Sequence, residues 1–545
     1  MIIGDIRSIN LSTSSFERMI AEGSLYIDKT RMIENFLQSK SDVHLLARQR
    51  RLGKSLNMDM LRCFLTDRED LRHLFIGLYI ERSPQWNKAN SAPVFYFDFK
   101  GLQPESYKDQ VIKQIDKHIY SLVNPDSLSG YLKKQYDKII CGADRATESL
   151  YFLTELTYEL TGKRSYLLID EYDKLLLESY NTEIYDEVRL FETALLSSAL
   201  KGNQYLEKAL LTGVMRISHE SMFSGLNNIV TFDVFSDSMY TDNYGLTDGE
   251  MECLSELAGF DINETRTWYN GIRIGGHAIY NIYSVMSYMT MGKYDCYWGK
   301  TGTMDMIIHM LNDSRKAVIA KLLNSEKVDV DMDNRISLRR LSDNSDDQAF
   351  YSMLVQAGYL ALEDAVLSRA DNATVSIPNT ELMIVWRKFI FNSLYSSTPK
   401  IKTLFDNAND LSLFSKDVEY FLRDRLSYHD LSAYKNDDDH IHERMYHVFM
   451  LGILCAYEDT RFKYPLSNRE SGSGRYDVLV EKPAGNFIFE FKVAESEKKL
   501  DERAQEALAQ IETKRYGMDL STSKRLVRVG VAFYGKMCIV RCSEV

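Results

Sequence analysis

A short apolar run, Val43–Ala47, leads into Arg48-Gln49-Arg50-Arg51-Leu52-Gly53-Lys54-Ser55, and an amphipathic stretch at residues 56–65 follows at once. Strand, loop and helix in that order is the grammar of a phosphate-binding loop. Free amides at a helix start, one lysine and one hydroxyl are what a nucleotide's phosphates and their Mg²⁺ require. The loop departs from the pattern G-x-x-x-x-G-K-S, which has glycine where this chain has Arg48. Glycine there turns with positive φ and lets backbone amides approach the phosphate. An arginine turns less cheaply, but it brings a positive charge to the same phosphates.

The surrounding pattern supports such a loop. Apolar runs with strand character recur at residues 94–99, 166–169 and 209–212, with helical patterns between them at 107–122 and 147–160. Alternation of this kind predicts a parallel sheet covered by helices. Thr247-Asp248-Gly249-Glu250 is a capping box that starts a further helix. The second buried strand ends in Asp170-Glu171. Asp170 stands where a carboxylate holds the Mg²⁺ shell, and Glu171 where one orients and deprotonates an attacking water. Lys54 would reach the β- and γ-phosphates and Ser55 would ligate Mg²⁺. Thr212, at the end of the next strand, is placed to sense the γ-phosphate, and Arg216 lies four residues on. Arg48, Arg51 and Gly53 complete the expected nucleotide set. Arg50 and Arg51 have a plainer alternative, as solvated loop residues or contacts to a neighbouring subunit or DNA.

The last quarter of the chain carries a second constellation. Phe487-Ile488-Phe489-Glu490-Phe491-Lys492 alternates strictly, so Glu490 and Lys492 share one face of a strand and the phenylalanines the other. Asp477 interrupts the preceding apolar strand, residues 476–480. If the two strands pair as a hairpin through residues 482–486, Asp477 meets Glu490. Two carboxylates beside a lysine make a hard oxygen site for Mg²⁺ or Mn²⁺. The metal polarises a phosphodiester and generates hydroxide, and the lysine positions the water or neutralises developing charge. The plainer alternative is a solvated strand face with a cross-strand ion pair. A helix at 443–457, strands at 476–480 and 487–493, a charged helix at 497–516 and strands at 526–533 and 537–541 give an α-β-β-α-β-β order. Lys498, Lys499, Arg503, Lys514 and Arg515 offer cations for phosphates along that charged helix.

A chain of 545 residues is too long for one core. The division read from the sequence is 1–290 for the phosphate-loop part, 291–410 for a mostly helical middle and 411–545 for the last domain. In the middle, a helix, turn, strand and helix resemble a winged-helix unit, with a plain helical connector as the alternative. The net charge of −12 argues against passive coating of DNA or an anionic membrane, although local potential and not the total governs binding. Seven scattered cysteines show neither zinc spacing nor a disulfide framework. No signal peptide and no apolar run of about 18 residues is seen. The expectation is a cytoplasmic protein without a membrane partner.

Longer stretches then become recognisable. Leu25-Tyr26-Ile27-Asp28-Lys29-Thr30, Arg50-Arg51-Leu52-Gly53-Lys54-Ser55 and Leu168-Ile169-Asp170-Glu171-Tyr172-Asp173-Lys174 resemble the bacterial AAA-ATPase-like family. So do Leu211-Thr212-Gly213-Val214, Phe223-Ser224-Gly225-Leu226-Asn227-Asn228 and Trp268-Tyr269-Asn270-Gly271. The members in question carry a PD-(D/E)xK nuclease-like domain at the C-terminus, and the resemblance runs along nearly the whole chain. It implies a P-loop NTPase-like parallel sheet, a helical middle and a restriction-endonuclease-like α/β domain. The family's loop usually reads Arg-Pro-Arg-Arg-Phe-Gly-Lys-Ser, so Arg48 is a family trait and Gln49 and Leu52 are this chain's own departures. Glu443 matches the acidic residue of the family's preceding helix, and Gln510 and Tyr516 match the polar face of the following one. The implied activity is ATP binding and hydrolysis that gate a Mg²⁺-dependent nuclease-like domain acting on DNA. The competing reading is a non-enzymatic, nucleotide-regulated DNA- or protein-binding module with a degenerate nuclease fold. Homo-oligomer formation is left open by both.

Overall fold

Five strands gather behind the phosphate loop, and the central ones are apolar on both faces. The five are β1 (Val43–Ala47), β2 (Val94–Asp98), β3 (Ser165–Asp170), β4 (Leu206–Gly213) and β5 (Ile229–Phe232). In this computed structural model they form one sheet in the order β2-β3-β4-β1-β5, with every neighbouring pair parallel. β1 and β3 are buried at every residue, as parallel strands covered on both faces must be. Helices α1 (Lys54–Leu65), α3 (Ser149–Thr161) and α4 (Tyr185–Leu200) pack on the sheet, and α2 (Tyr107–Leu122) packs on α3. His44 is the polar exception inside β1. It is satisfied by Tyr240 Oη at 2.7 Å and Ser39 Oγ at 2.9 Å, and burial pushes its pKa down to about 4, so it is neutral.

The structure describes residues 1–142, 146–180, 182–216, 228–235, 239–298, 307, 310–323, 325–333, 338–341, 346–363, 372–394, 405, 408–425, 466–471, 474–482, 485–518, 520, 524–535 and 537–544. By compactness the chain divides into residues 1–300 with 329–381, and residues 301–328 with 382–545.

In the first unit, α5 (Asp248–Ala258) begins at the expected capping box, with Thr247 and Glu250 each bonded to the other's backbone amide. The buried lysine of the 25–30 motif, Lys29, is a structural lock. Its Nζ donates to Glu250 at 2.7 Å and to Asp242 O at 2.8 Å. Further on come β6 (Val328–Asp331), α6 (Asp347–Ala357), β7 (Ala361–Leu362) and β8 (Asn372–Ser376), with the strands ordered β6-β8-β7. The helix and strand of the winged-helix expectation are present as α6 and β8, and β6 and β7 add strands the sequence did not reveal. The helix that would enter a DNA groove is not available, because α6 is buried at every residue from Ala349 to Ala357.

In the second unit, β9 (Leu466–Ser471), β10 (Gly474–Lys482), β11 (Gly485–Val493), β12 (Leu526–Tyr534) and β13 (Met537–Glu544) form a sheet in sequence order. All pairs are antiparallel except β11 with β12. One face packs Phe487, Phe489 and Phe491 with Phe414, Val418 and Leu422 of α8 (Leu411–Arg425). The other face carries α9 (Leu500–Thr513), whose Ile511 packs with Ile488, Leu479 and Tyr476. β9 and α8 were not legible in the sequence, and the expected helix at 443–457 lies outside the described residues. The charged helix is shorter than expected. Residues 497–499 form one tight turn before it, and Arg515 (φ 54) and Gly517 (φ 87) end it in left-handed backbone.

Candidate functional site

Strand order brings the phosphate loop and the Asp170-Glu171 turn together. β4 lies between β1 and β3, so Gly53-Lys54-Ser55, Thr212 and Asp170 all emerge on one edge of the sheet, where ligands of open α/β sheets bind. Gly53 caps α1 with φ 89, a conformation that favours glycine, and open space surrounds the place where a Cβ would stand. Lys54 is buried, and its Nζ donates to the carbonyls of Arg48 and Gln49 at 2.9 Å each. Burial pulls the Lys54 pKa down, and Asp170, Asp173 and Glu171 act against that shift. Ser55 is half-buried in the first turn of α1.

Asp170 is buried and held from three sides. It accepts hydrogen bonds from Thr212 Oγ1, from Tyr96 Oη at 3.4 Å and from the Glu171 amide at 3.0 Å. Thr212 therefore enters the site as a partner of Asp170. Glu171 takes left-handed backbone (φ 53), and burial raises its pKa above the ordinary glutamate range. Two residues not singled out from the sequence complete the turn. Asp173 accepts from the amides of Val214 and Met215 at 2.8 Å each. Gly213 leaves room for it, since a Cβ there would lie 2.6 Å from the Tyr172 ring and 2.7 Å from Asp173 Oδ1. The second aspartate of Asp170-Glu171-Tyr172-Asp173 was the available signal. Tyr96 had none beyond its alternation along β2.

Two loop arginines depart from expectation. Arg48 has no exposed surface. Its Nη1 donates to Ala47 O and Phe232 O at 2.9 Å each, and its guanidinium lies over the Tyr244 ring. It ties the loop to the end of β5 and does not offer charge to phosphates, which corrects the sequence reading. Arg51, in left-handed backbone (φ 63), stacks its guanidinium 3.8 Å from the centre of the Tyr283 ring, and its charge falls on the buried Glu381 of α7 (Thr380–Leu394). Glu381 itself accepts from the amides of Tyr297 at 2.6 Å and Trp298 at 2.7 Å, and burial lifts its pKa to about 7. Arg216 pairs with Asp233 at 3.5 Å, and its amide donates to Gln356 of α6 at 2.9 Å. Gln49 donates to Val355 O at 3.4 Å and occupies the space left by Gly358, where a Cβ would stand 2.5 Å from its amide carbon. The loop and the end of β4 thus both touch the C-terminal turn of α6.

The second constellation forms through the expected hairpin. The β10–β11 ladder begins at Val478 with Phe489, and Asp477 and Glu490 are the next residues beyond it, one on each strand. Asp477 Oδ2 accepts the Phe491 amide at 2.8 Å. Burial raises the Asp477 pKa to about 6, against the lowering pull of that amide and of Lys492. Glu490 is 4 % exposed and accepts from Gln510 Nε2 of α9. Glu490 therefore lies under α9, while Asp477 and Lys492 are half-buried. Gly530, the ladder partner of Glu490 on β12, allows this, because a Cβ there would meet Ala504 O at 2.4 Å. Tyr516 is buried beside Gln510, and its hydroxyl would meet a Cβ at Gly474 at 3.0 Å. Of the expected phosphate cations, Lys499 is paired with Glu502 and Arg503 with Glu495 and Glu506. Glu443 and the Phe223–Asn227 part of its motif lie outside the described residues.

Among the described residues, no three His, Cys, Asp or Glu side chains converge as a metal cluster. Asp477 and Glu490 nevertheless suit Mg²⁺, which is held by one or two carboxylates and keeps several waters. Gly53, Lys54, Ser55 and Asp170 likewise suit a Mg²⁺-bound polyphosphate, given the open space at Gly53.

Comparison with known proteins agrees with this geometry. Residues 10–223 match the AAA-ATPase-like family model, described as "Predicted AAA-ATPase", and residues 441–543 match that of the PD-(D/E)XK nuclease superfamily. The chain joins an AAA-ATPase-like domain to a PD-(D/E)XK nuclease superfamily domain. It is 29% identical over 340 residues to an "Uncharacterized protein in vnfD 5'region" of Azotobacter chroococcum mcd 1. The matched stretch is 62% of this chain and 60% of that protein, so the chain spans less than two thirds of that relative's length. Asp170 and Glu171 fall in the AAA-ATPase-like match, and Asp477, Glu490 and Lys492 in the nuclease match.

Proposed function

We propose that the AAA-ATPase-like domain binds and hydrolyses ATP and that the PD-(D/E)XK domain is a Mg²⁺- or Mn²⁺-dependent phosphodiesterase acting on DNA under control of the nucleotide. The division would be 1–290 for the ATPase part, 291–410 for the middle and 411–545 for the nuclease part. Lys54 would neutralise the phosphates, Ser55 and Asp170 would hold Mg²⁺, and Glu171 would take the proton of the attacking water. Thr212 would keep Asp170 in place. A divalent metal held by Asp477 and Glu490 supplies Lewis acidity toward a phosphodiester and acidifies its water. Lys492 would neutralise charge on the cleaved phosphate. The observation that supports this reading is the bond from the Phe491 amide, between Glu490 and Lys492 in the chain, to Asp477 Oδ2 at 2.8 Å. A bacterial cytoplasmic setting belongs to this reading through the family resemblance; among the described residues six cysteines form no disulfide and no helix is long and apolar enough to cross a membrane.

The test is nicking of supercoiled plasmid by purified protein with Mg²⁺, with and without ATP. Wild type should nick, Glu490→Gln should lose at least about a hundredfold in rate, and Lys54→Ala should nick without responding to ATP. A Glu490→Gln variant that cuts at the wild-type rate ends the nuclease assignment. The burial of Glu490 against Gln510 favours a second reading, a nucleotide-regulated protein-binding module with a retired nuclease fold. That reading requires ATP binding without nicking.

A further inference from the structure

We infer that Arg50 is the arginine with which the phosphate loop grips the nucleotide's polyphosphate, in the place the sequence pattern offered to Arg48 or Arg51. The inference rests on the nucleotide-binding reading of this loop and concerns how that site holds its ligand.

Three arginines crowd the loop, and two are committed elsewhere. Arg48 is wholly buried against the carbonyls of Ala47 and Phe232 and under Tyr244. Arg51 is stacked on Tyr283, with its charge on Glu381. Arg50 differs in both respects. Its side chain is half-buried and makes no hydrogen bond or ion pair among the described residues. Its backbone is fixed, since Trp298 Nε1 donates to Arg50 O at 3.3 Å and Trp298 packs edge-on against Tyr359 with ring centres 4.9 Å apart.

The charge of Arg50 also reaches the site. It acts on Lys54, depressing that ammonium, while Asp170, Asp173 and Glu171 raise it. Lys54 thus feels three carboxylates, and Arg50 adds a second cation on the same loop that makes no ion pair among the described residues. Two neighbouring cations repel until an anion sits between them. A guanidinium forks onto phosphate oxygens in a way an ammonium cannot. A buried lysine and a half-exposed arginine on one loop suit a ligand with several adjacent negative oxygens, the polyphosphate tail of a nucleotide. The anchored backbone and unanchored side chain of Arg50 let it swing onto that ligand without disturbing the loop.

The experiment is calorimetric titration of the full chain with ATP and Mg²⁺, using wild type, Arg50→Ala, Arg50→Lys, Arg51→Ala and Lys54→Ala, with melting temperatures recorded for each. Arg50→Ala should weaken ATP binding about tenfold or more, the loss of one charge-assisted bond, with an unchanged melting temperature. Arg50→Lys should recover part of that loss, and Arg51→Ala should bind within about twofold of wild type. If wild type binds, Lys54→Ala does not, and Arg50→Ala binds like wild type, the inference is wrong and the nucleotide reading stands. If Arg51→Ala weakens binding and Arg50→Ala does not, the arginines are misassigned. If wild type shows no heat with ATP, the nucleotide reading and this inference fall together.

Discussion

The two candidate sites differ in the ligand that would relieve their buried charge. At the phosphate loop, one buried ammonium, Lys54, feels three carboxylates, Asp170, Asp173 and Glu171, and burial pulls the Lys54 pKa down while it raises those of Glu171 and Asp173. Beside α9, Glu490 is buried and Asp477 half-buried, and burial holds the Asp477 pKa at about 6 against the pull of the Phe491 amide and Lys492. The first site lies at a sheet edge, with open space at Gly53. Desolvation acts at both sites. The lysine of the first suits the oxygens of a polyphosphate, and the paired carboxylates of the second suit a bare cation. Binding at one should therefore be separable from binding at the other.

Three measurements break or sharpen that contrast. The largest effect belongs to Asp477→Asn, which should cost at least about a hundredfold in Mg²⁺ or Mn²⁺ affinity by titration, since it halves the carboxylate set. The same variant should leave ATP affinity unchanged, and a parallel loss of both would break the contrast. Next, Gly530→Ala should destabilise the second unit by about 1–3 kcal/mol in urea unfolding, because the new methyl must push α9 off the sheet beside Glu490. The smallest effect is a pH dependence. The folded pKa of Asp477 lies above its unfolded value, so its stabilising contribution is fully present below about pH 4 and is lost as pH rises through 6. Metal-free Asp477→Asn should therefore melt higher than wild type at pH 7.5 and level with it near pH 4. Metal affinity of wild type should fall about tenfold per unit below pH 6, as the proton competes with the cation. A flat profile there would show that Asp477 is ionised throughout.

Local periodicity carried much of this into view. β1 and α2 run over the residues their apolar patterns marked, and strict alternation in β11 put Glu490 and Lys492 on one face with the right hairpin partner. What stayed hidden depends on distant partners. Arg48 reads as a phosphate ligand until β5 and Tyr244 come beside it. The helix of the winged-helix-like segment shows from sequence none of its burial, which is complete from Ala349 to Ala357. β6 and β9 are polar and short, and they become strands only because a neighbour offers an unpaired edge. Glu490 lies under α9 for a reason in one glycine of another strand, Gly530.

The placing of β1 inside its sheet has a consequence for how the protein is made. The Gly-Lys-Ser motif leaves the ribosome early, but its strand has no neighbours then. Arg48 is bonded to Phe232, 184 residues later, and Lys29 to Glu250, 221 residues later. Pairings so distant in sequence form slowly and late. A nascent chain therefore carries a complete phosphate motif through a long window in which it cannot hold a nucleotide. Fragments ending before β5 would carry the phosphate-site residues named above but lack the Phe232 carbonyl that anchors Arg48.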